Sequence, residues 1–110
     1  MESDSGKFLP GTLEMLILQT LSRRPMHGYG IAEAIRETSE DALRVGEGSL
    51  YPALQRLLID DCVKAEWGLS ENKRRARIYT ITPAGRKQLQ RERLEFDQTI
   101  AGILRVMEAR

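Results

Sequence analysis

The sequence predicts a mainly α-helical domain with a small β-hairpin, arranged as a winged helix-turn-helix followed by a long C-terminal helix. Three observations carry this reading. Apolar residues recur at helical spacing in three segments of the N-terminal half. Two segments of period-two alternation follow, separated by a polar stretch. A Thr-Pro pair then opens a last segment whose apolar residues fall at steps of four and three.

The chain has 110 residues, enough for one domain. Hydrophobic residues make up 41% and charged residues 30%, which excludes a disordered chain. Aromatics are 5%, so the core must be aliphatic. Residues 1–8 read as a flexible polar tail without the apolar run of a signal peptide. No stretch approaches the ~18 apolar residues of a membrane span. The single cysteine, Cys62, excludes an intramolecular disulfide framework and fits a reducing, cytoplasmic setting.

The winged-helix domain is expected over residues 9–82. Its first helix should run from about Thr12, as N-cap, to Arg23, with Pro25 as the stop. Leu13, Leu16, Ile17 and Leu21 share one face, while Met15 and Leu18 lie off it. A helix apolar on two sides is either central or shared with a partner. The glycine-flanked turn His27-Gly28-Tyr29-Gly30 precedes a second helix to about Thr38, with Ile31, Ala34 and Ile35 inward. Ser39 to Gly48 reads as an irregular connector. The third helix should run from Ser49, its cap, to Asp60, with Pro52 in the first turn. Leu50, Leu54, Leu57 and Leu58 form its inner face; Tyr51 and Gln55 lie opposite, with Arg56 and Ile59 at the edge. Cys62–Trp67 and Ala76–Ile81 are the expected strands, and Gly68–Arg75 the loop between them. Trp67 is expected to pack against the base of the last helix. Thr82 as N-cap and Pro83 at the first helical position start that helix, residues 83–110.

Chemistry suited to nucleic acid sits at two places. In a winged helix the third helix can lie in the major groove while the hairpin reaches the backbone or minor groove. Ser49, Tyr51 and Gln55 stand near the N-terminus of the third helix, where backbone N–H groups favour phosphate, and can donate to phosphates or base edges; Arg56 is counted with them among the expected DNA-binding residues. Ser70 to Arg77 carries Lys73, Arg74, Arg75 and Arg77 against one acidic residue, Glu71, a cationic tip suited to phosphate. The net charge of +1 adds nothing to this, so the reading rests on placement of charge.

The runs Leu13–Leu18, His27–Ile31, Gly48–Leu57 and Arg77–Gly85 resemble the PadR family of bacterial winged-helix regulators, in its short form with a single C-terminal helix. The resemblance covers the chain from about Leu9 onward. It implies a homodimeric transcription factor, usually a repressor, on double-stranded DNA bearing a palindromic operator. It also implies a third helix in the major groove with Tyr51 and its neighbours near the DNA, and Lys73, Arg74 and Arg75 on the wing. Two features depart from some members: the wing tip holds no glycine, and the last helix holds no Trp, so a Trp-lined drug site does not carry over.

Leu89, Arg93, Phe96, Ile100, Ile103 and Met107 form a heptad seam widened by Leu94 and Leu104. It is too short for an isolated coiled coil. Phe96, Ile100, Ile103, Leu104 and Met107 are therefore expected to pack against a partner chain, together with Met15 and Leu18 of its first helix. The alternative is a last helix folded back on its own domain.

Catalytic and metal chemistry is not expected. His27, the only histidine, has no neighbours at zinc-ligand spacing and reads as a packing or capping residue. Cys62 reads as a small core residue. Gly28-Tyr29-Gly30 follows no strand and lacks the third glycine of a nucleotide loop. No cofactor is expected. Two other functions stay open beside a DNA-binding regulator. One is a winged-helix module that docks a protein instead of DNA; neutralising Lys73, Arg74 and Arg75 should flatten the salt dependence of binding if phosphates are the target. The other, compatible with DNA binding, is a sensor whose dimer cleft takes an unidentified small molecule.

Overall fold

A computed structural model describes residues 11–110, so the expected N-terminal tail lies outside the described residues. Helix α1 spans Thr12–Leu21, strand β1 Met26–His27, helix α2 Gly28–Thr38 and helix α3 Glu47–Ile59. Strands β2, Val63–Leu69, and β3, Arg75–Ile81, form the hairpin, and helix α4 spans Pro83–Glu108. The fold is the winged helix-turn-helix with a long terminal helix that the sequence predicts. One strand is added: β1 pairs antiparallel with β3, Met26 opposite Tyr79, giving the sheet order β1-β3-β2. Two residues before a glycine turn are too short to show alternation, so only the pairing reveals β1.

Helix α1 is the centre of the domain. It packs against α2, α3, α4 and β3. Leu13, Met15, Ile17, Leu18 and Leu21 are all buried, which accounts for its apolar residues on two sides. The expectation that Leu18 faces a partner chain is thereby corrected: it is 0% exposed inside its own protomer. Ile31, Ile35, Leu50, Leu54, Leu57, Val63 and Ile81 complete the aliphatic core.

Helix ends differ from the expected ones for local reasons. Gly11, with left-handed backbone at φ 81°, caps α1, and Thr12 is its first helical residue. Gly46, not Ser49, is the N-cap of α3, so the helix starts three residues early and Pro52 is its sixth residue. The missing Pro52 N–H leaves the Gly48 carbonyl without its helical donor, and Gly48 is exposed, so water can serve it. Both α2 and α3 end in Schellman motifs built on acidic residues. Glu40 (φ 54°) and Asp61 (φ 59°) take the left-handed position. Asp41 N–H donates to Arg36 O at 2.8 Å, and Cys62 N–H to Leu57 O at 2.9 Å.

The junction before α4 is tightly tied. Thr82 caps the helix by accepting from Gly85 N–H at 3.0 Å, and its hydroxyl donates to Asp61 O at 2.6 Å. A Cβ on Gly85 would stand 2.1 Å from the Cys62 carbonyl oxygen, so only glycine allows α4 to leave the sheet at this angle. Cys62 itself is buried in the core, and burial pushes its thiol up, which keeps it protonated and unreactive.

Candidate nucleic-acid interface

Tyr51 is positioned by a glycine. Its ring lies on the start of α2, where a Cβ on Gly28 would fall 2.7 Å from the Tyr51 hydroxyl oxygen and 3.0 Å from the ring. The ring is 45% exposed, so one side packs and the other faces solvent. Burial, then the nearby Glu47 and Tyr79, pushes its phenol up, so Tyr51 stays a neutral donor. Gln55, one turn on, is exposed on the same face of α3, and Ser49 is half-buried at its start. Arg56 is ion-paired at the edge of this face. Its Nε donates to Glu14 Oε2 at 2.7 Å and joins α3 to α1. The sequence groups Arg56 with the outward face because it lies at the edge; its partner Glu14 stands 42 positions away in the chain.

The wing is shorter and more ordered than the expected loop. Gly68 and Leu69 belong to β2, and Arg75 to β3, so only Ser70–Arg74 forms the tip. Ser70 N–H donates to Arg74 O and Lys73 N–H to Ser70 O, both at 2.9 Å. Lys73 takes the left-handed position (φ 61°) that glycine usually fills in a three-residue hairpin loop. Glu71 ties the tip to β1. Its Oε1 lies 3.3 Å from His27 Nε2, and its Oε2 3.9 Å from Arg24. Its own backbone N–H, then His27, holds the Glu71 carboxyl below the usual glutamate range.

His27 is a capping residue, as its setting implies. Gly30 N–H donates to His27 Nδ1 at 3.1 Å and closes the first turn of α2. With Nδ1 accepting, the proton of the neutral ring sits on Nε2 and points at Glu71.

Trp67 does not pack against α4. It is 60% exposed on the wing, with the Arg75 guanidinium 4.7 Å and the Arg77 guanidinium 5.7 Å from its ring centre. Strand register explains the correction. Val63 pairs with Ile81 and Ala65 with Tyr79 on the core face; the next pairs on that face, Trp67 with Arg77 and Leu69 with Arg75, lie beyond the end of the core. Tyr51, Trp67 and Arg77 line one cleft between α3 and the wing, with Tyr29, Tyr79 and His27. The structure thus brings Tyr51 of α3 and Arg77 of the wing to one cleft, which Gln55, Lys73, Arg74 and Arg75 do not line. The sequence signal for this grouping, a Trp on the core parity of β2, is readable only once the register is known.

The expected partner-facing residues divide. Met15 is 8% exposed and lines, with Phe96 and Ile103 of its own chain, an open groove of about 430 Å³ between α1 and α4. Phe96 and Ile100 are half-buried. Ile103, Leu104, Val106 and Met107 are exposed on the distal half of α4. Leu89, the first seam residue, packs on the chain's own core. Among the described residues no group of His, Cys, Asp and Glu could hold a metal, and no helix is long and apolar enough to cross a membrane.

The sequence pattern of the transcriptional regulator PadR-like family matches residues 17–91. A protein of the Streptomyces fradiae transposon Tn4556 is 44% identical over 72% of this chain, which spans 21% of that protein's length. A transcriptional regulator of Mycobacterium tuberculosis is 30% identical, over 89% of this chain and 88% of its own. The structure of a transcriptional regulator from Clostridium thermocellum aligns with a TM-score of 0.80 at 30% identity, over 87% of this chain and 93% of that one. Bacillus subtilis PadR in complex with operator DNA aligns with a TM-score of 0.63 at 23% identity, over 72% of this chain and 45% of that one, a likeness of fold.

Proposed function

Since the chain belongs to the PadR-like family of transcriptional regulators, we propose that it acts as a homodimeric, sequence-specific repressor on a palindromic operator. Residues 9–82 form the DNA-binding unit and residues 83–110 the dimerisation helix. Helix α3 enters the major groove with Tyr51 and Gln55 at the base edges; Ser49 and the wing cations Lys73, Arg74, Arg75 and Arg77 meet phosphates or the minor groove. Arg56, 57% exposed and ion-paired with Glu14 of α1, lies beside them at the edge of this face.

The observation that carries this reading is the cleft shared by Tyr51 of α3 and Trp67 and Arg77 of the wing. One nucleic-acid backbone can meet both elements there. The operator complex of the Bacillus subtilis relative supports the same use of the fold. A dimer is supported by the exposed apolar run on α4, which a lone protomer would leave in water. A two-fold axis would set two α3 helices ~34 Å apart, one DNA turn. No catalytic step is assigned to the protein.

The test is a fluorescence-anisotropy titration against duplex DNA from the promoter of the protein's own gene, beside a scrambled duplex. Tyr51→Ala and Gln55→Ala should each lose about tenfold on the promoter and little on the scrambled duplex. Arg74→Ala should weaken both alike and lower the salt slope by about one. Full promoter affinity in all three variants would remove α3 and the wing as the DNA surface.

A further inference from the structure

We propose that Trp67 is a positioning residue of the wing: its ring racks the guanidinium groups of Arg75 and Arg77 so that both are aimed together at DNA phosphates. The inference rests on the DNA-binding reading and adds to it a role for a residue that makes no hydrogen bond to DNA itself.

Four observations converge. Trp67, Arg77, Leu69 and Arg75 project from one face of the hairpin, because Trp67 pairs directly with Arg77 and Leu69 with Arg75. Both guanidinium carbons lie within stacking range of the ring, at 4.7 and 5.7 Å. The ring is 60% exposed, so core packing does not explain a tryptophan here. Arg77 and Trp67 also line the cleft that Tyr51 of α3 closes on its other side.

The physical consequence is preorganisation. A free arginine side chain loses rotamer freedom when it binds phosphate. A guanidinium already stacked on an indole has lost much of that freedom before DNA arrives, and its N–H edge stays open for phosphate oxygens. The indole has no charge to neutralise, so it changes affinity without changing how many phosphates are met. Lys73 and Arg74, at the tip, lie outside this rack and serve as ordinary mobile cations.

The test compares wild type, Trp67→Ala, Trp67→Leu and Trp67→Phe on the promoter duplex across a salt series, each alone and combined with Arg75→Ala plus Arg77→Ala. Trp67→Ala and Trp67→Leu should weaken binding about tenfold at an unchanged salt slope, since the phosphate contacts remain. Trp67→Phe, which keeps an aromatic face, should stay within about threefold of wild type. In the double-arginine background Trp67→Ala should cost less than twofold, because the ring then has nothing to hold. Circular dichroism and thermal unfolding of the Trp67 variants verify an intact fold. Wild-type affinity in Trp67→Ala, or the same loss with and without the arginines, would overturn the inference while leaving DNA binding in place. A wild-type protein that binds neither duplex would remove the DNA reading and this inference with it.

Discussion

Gly28 and Tyr51 form one unit although they lie on different helices. The absence of a Cβ at Gly28 lets the Tyr51 ring settle on the start of α2, and this contact sets where the phenol stands on the outer face of α3. Gly28→Ala would place a methyl 2.7 Å from the hydroxyl and 3.0 Å from the ring. The ring has solvent on its other side and can swing away. The stability cost should therefore stay near 1 kcal/mol, as read from urea unfolding. Promoter affinity should fall by about tenfold, because a displaced Tyr51 no longer meets the duplex. A variant with wild-type affinity would show that the position of Tyr51 is immaterial to binding. Gly85 is different in kind: its neighbour at 2.1 Å is a backbone carbonyl, which cannot move aside.

At the scale of the element, α2 and the segment after it are joined by charge. Arg36 Nη2 donates to Glu33 at 2.9 Å, and its Nη1 donates to Asp41 at 2.8 Å. Asp41 follows the left-handed Glu40, so the ion pair fastens the helix end just past its Schellman turn. The hydrogen bond from Arg36 is the largest influence on both carboxyls and holds each below its usual range, while Arg36 is itself pushed up. A carboxyl with a lowered folded value stabilises the fold above its unfolded value, and that contribution is lost as pH falls through the folded value. The usual values are 4.5 for Glu33 and 3.8 for Asp41. Stability should accordingly be level above about pH 5 and fall on acidification below pH 4.5. Glu33→Gln with Asp41→Asn should flatten this acid limb in pH-jump urea titrations while leaving the neutral plateau nearly unchanged. Glu33 and Arg36 are half-buried and Asp41 is exposed, all still within reach of water, so the limb should be shallow and shallower still in high salt. An acid limb of unchanged steepness in the double variant would place the sensitivity elsewhere, with Glu71 of the wing tip the next carboxyl to substitute.

For the whole molecule, the decisive feature is α4. Its 26 residues extend ~39 Å, and the protomer is 56 Å along its longest axis. The first turns are anchored by Thr82, Gly85 and Leu89. Beyond Phe96 the helix carries Ile103, Leu104, Val106 and Met107 exposed on a single chain. A second protomer laid on this run and on the groove above Met15 would bury it. Ile100→Glu with Ile103→Glu should give monomers in light scattering and lower promoter affinity by about a hundredfold or more, since each half-site would then bind alone. An unchanged dimer mass would exclude this face as the interface.

Much of this architecture is legible in residue order, because local rules write it there. Helical spacing marks α1, α2 and α3, alternation marks β2 and β3, and Thr82-Pro83 marks the start of α4 within one residue. The Lys73–Arg77 cations and the outward Tyr51 and Gln55 follow from the same patterns. What escapes the linear reading depends on partners remote in the chain. Glu14 of α1 takes a hydrogen bond from Arg56 at the edge of the outward face. Gly28 seats Tyr51, the register of β2 against β3 carries Trp67 past the end of the core, and the surrounding helices close over Leu18. Periodicity reports which side of an element is apolar; what covers that side is settled by packing among elements far apart in sequence.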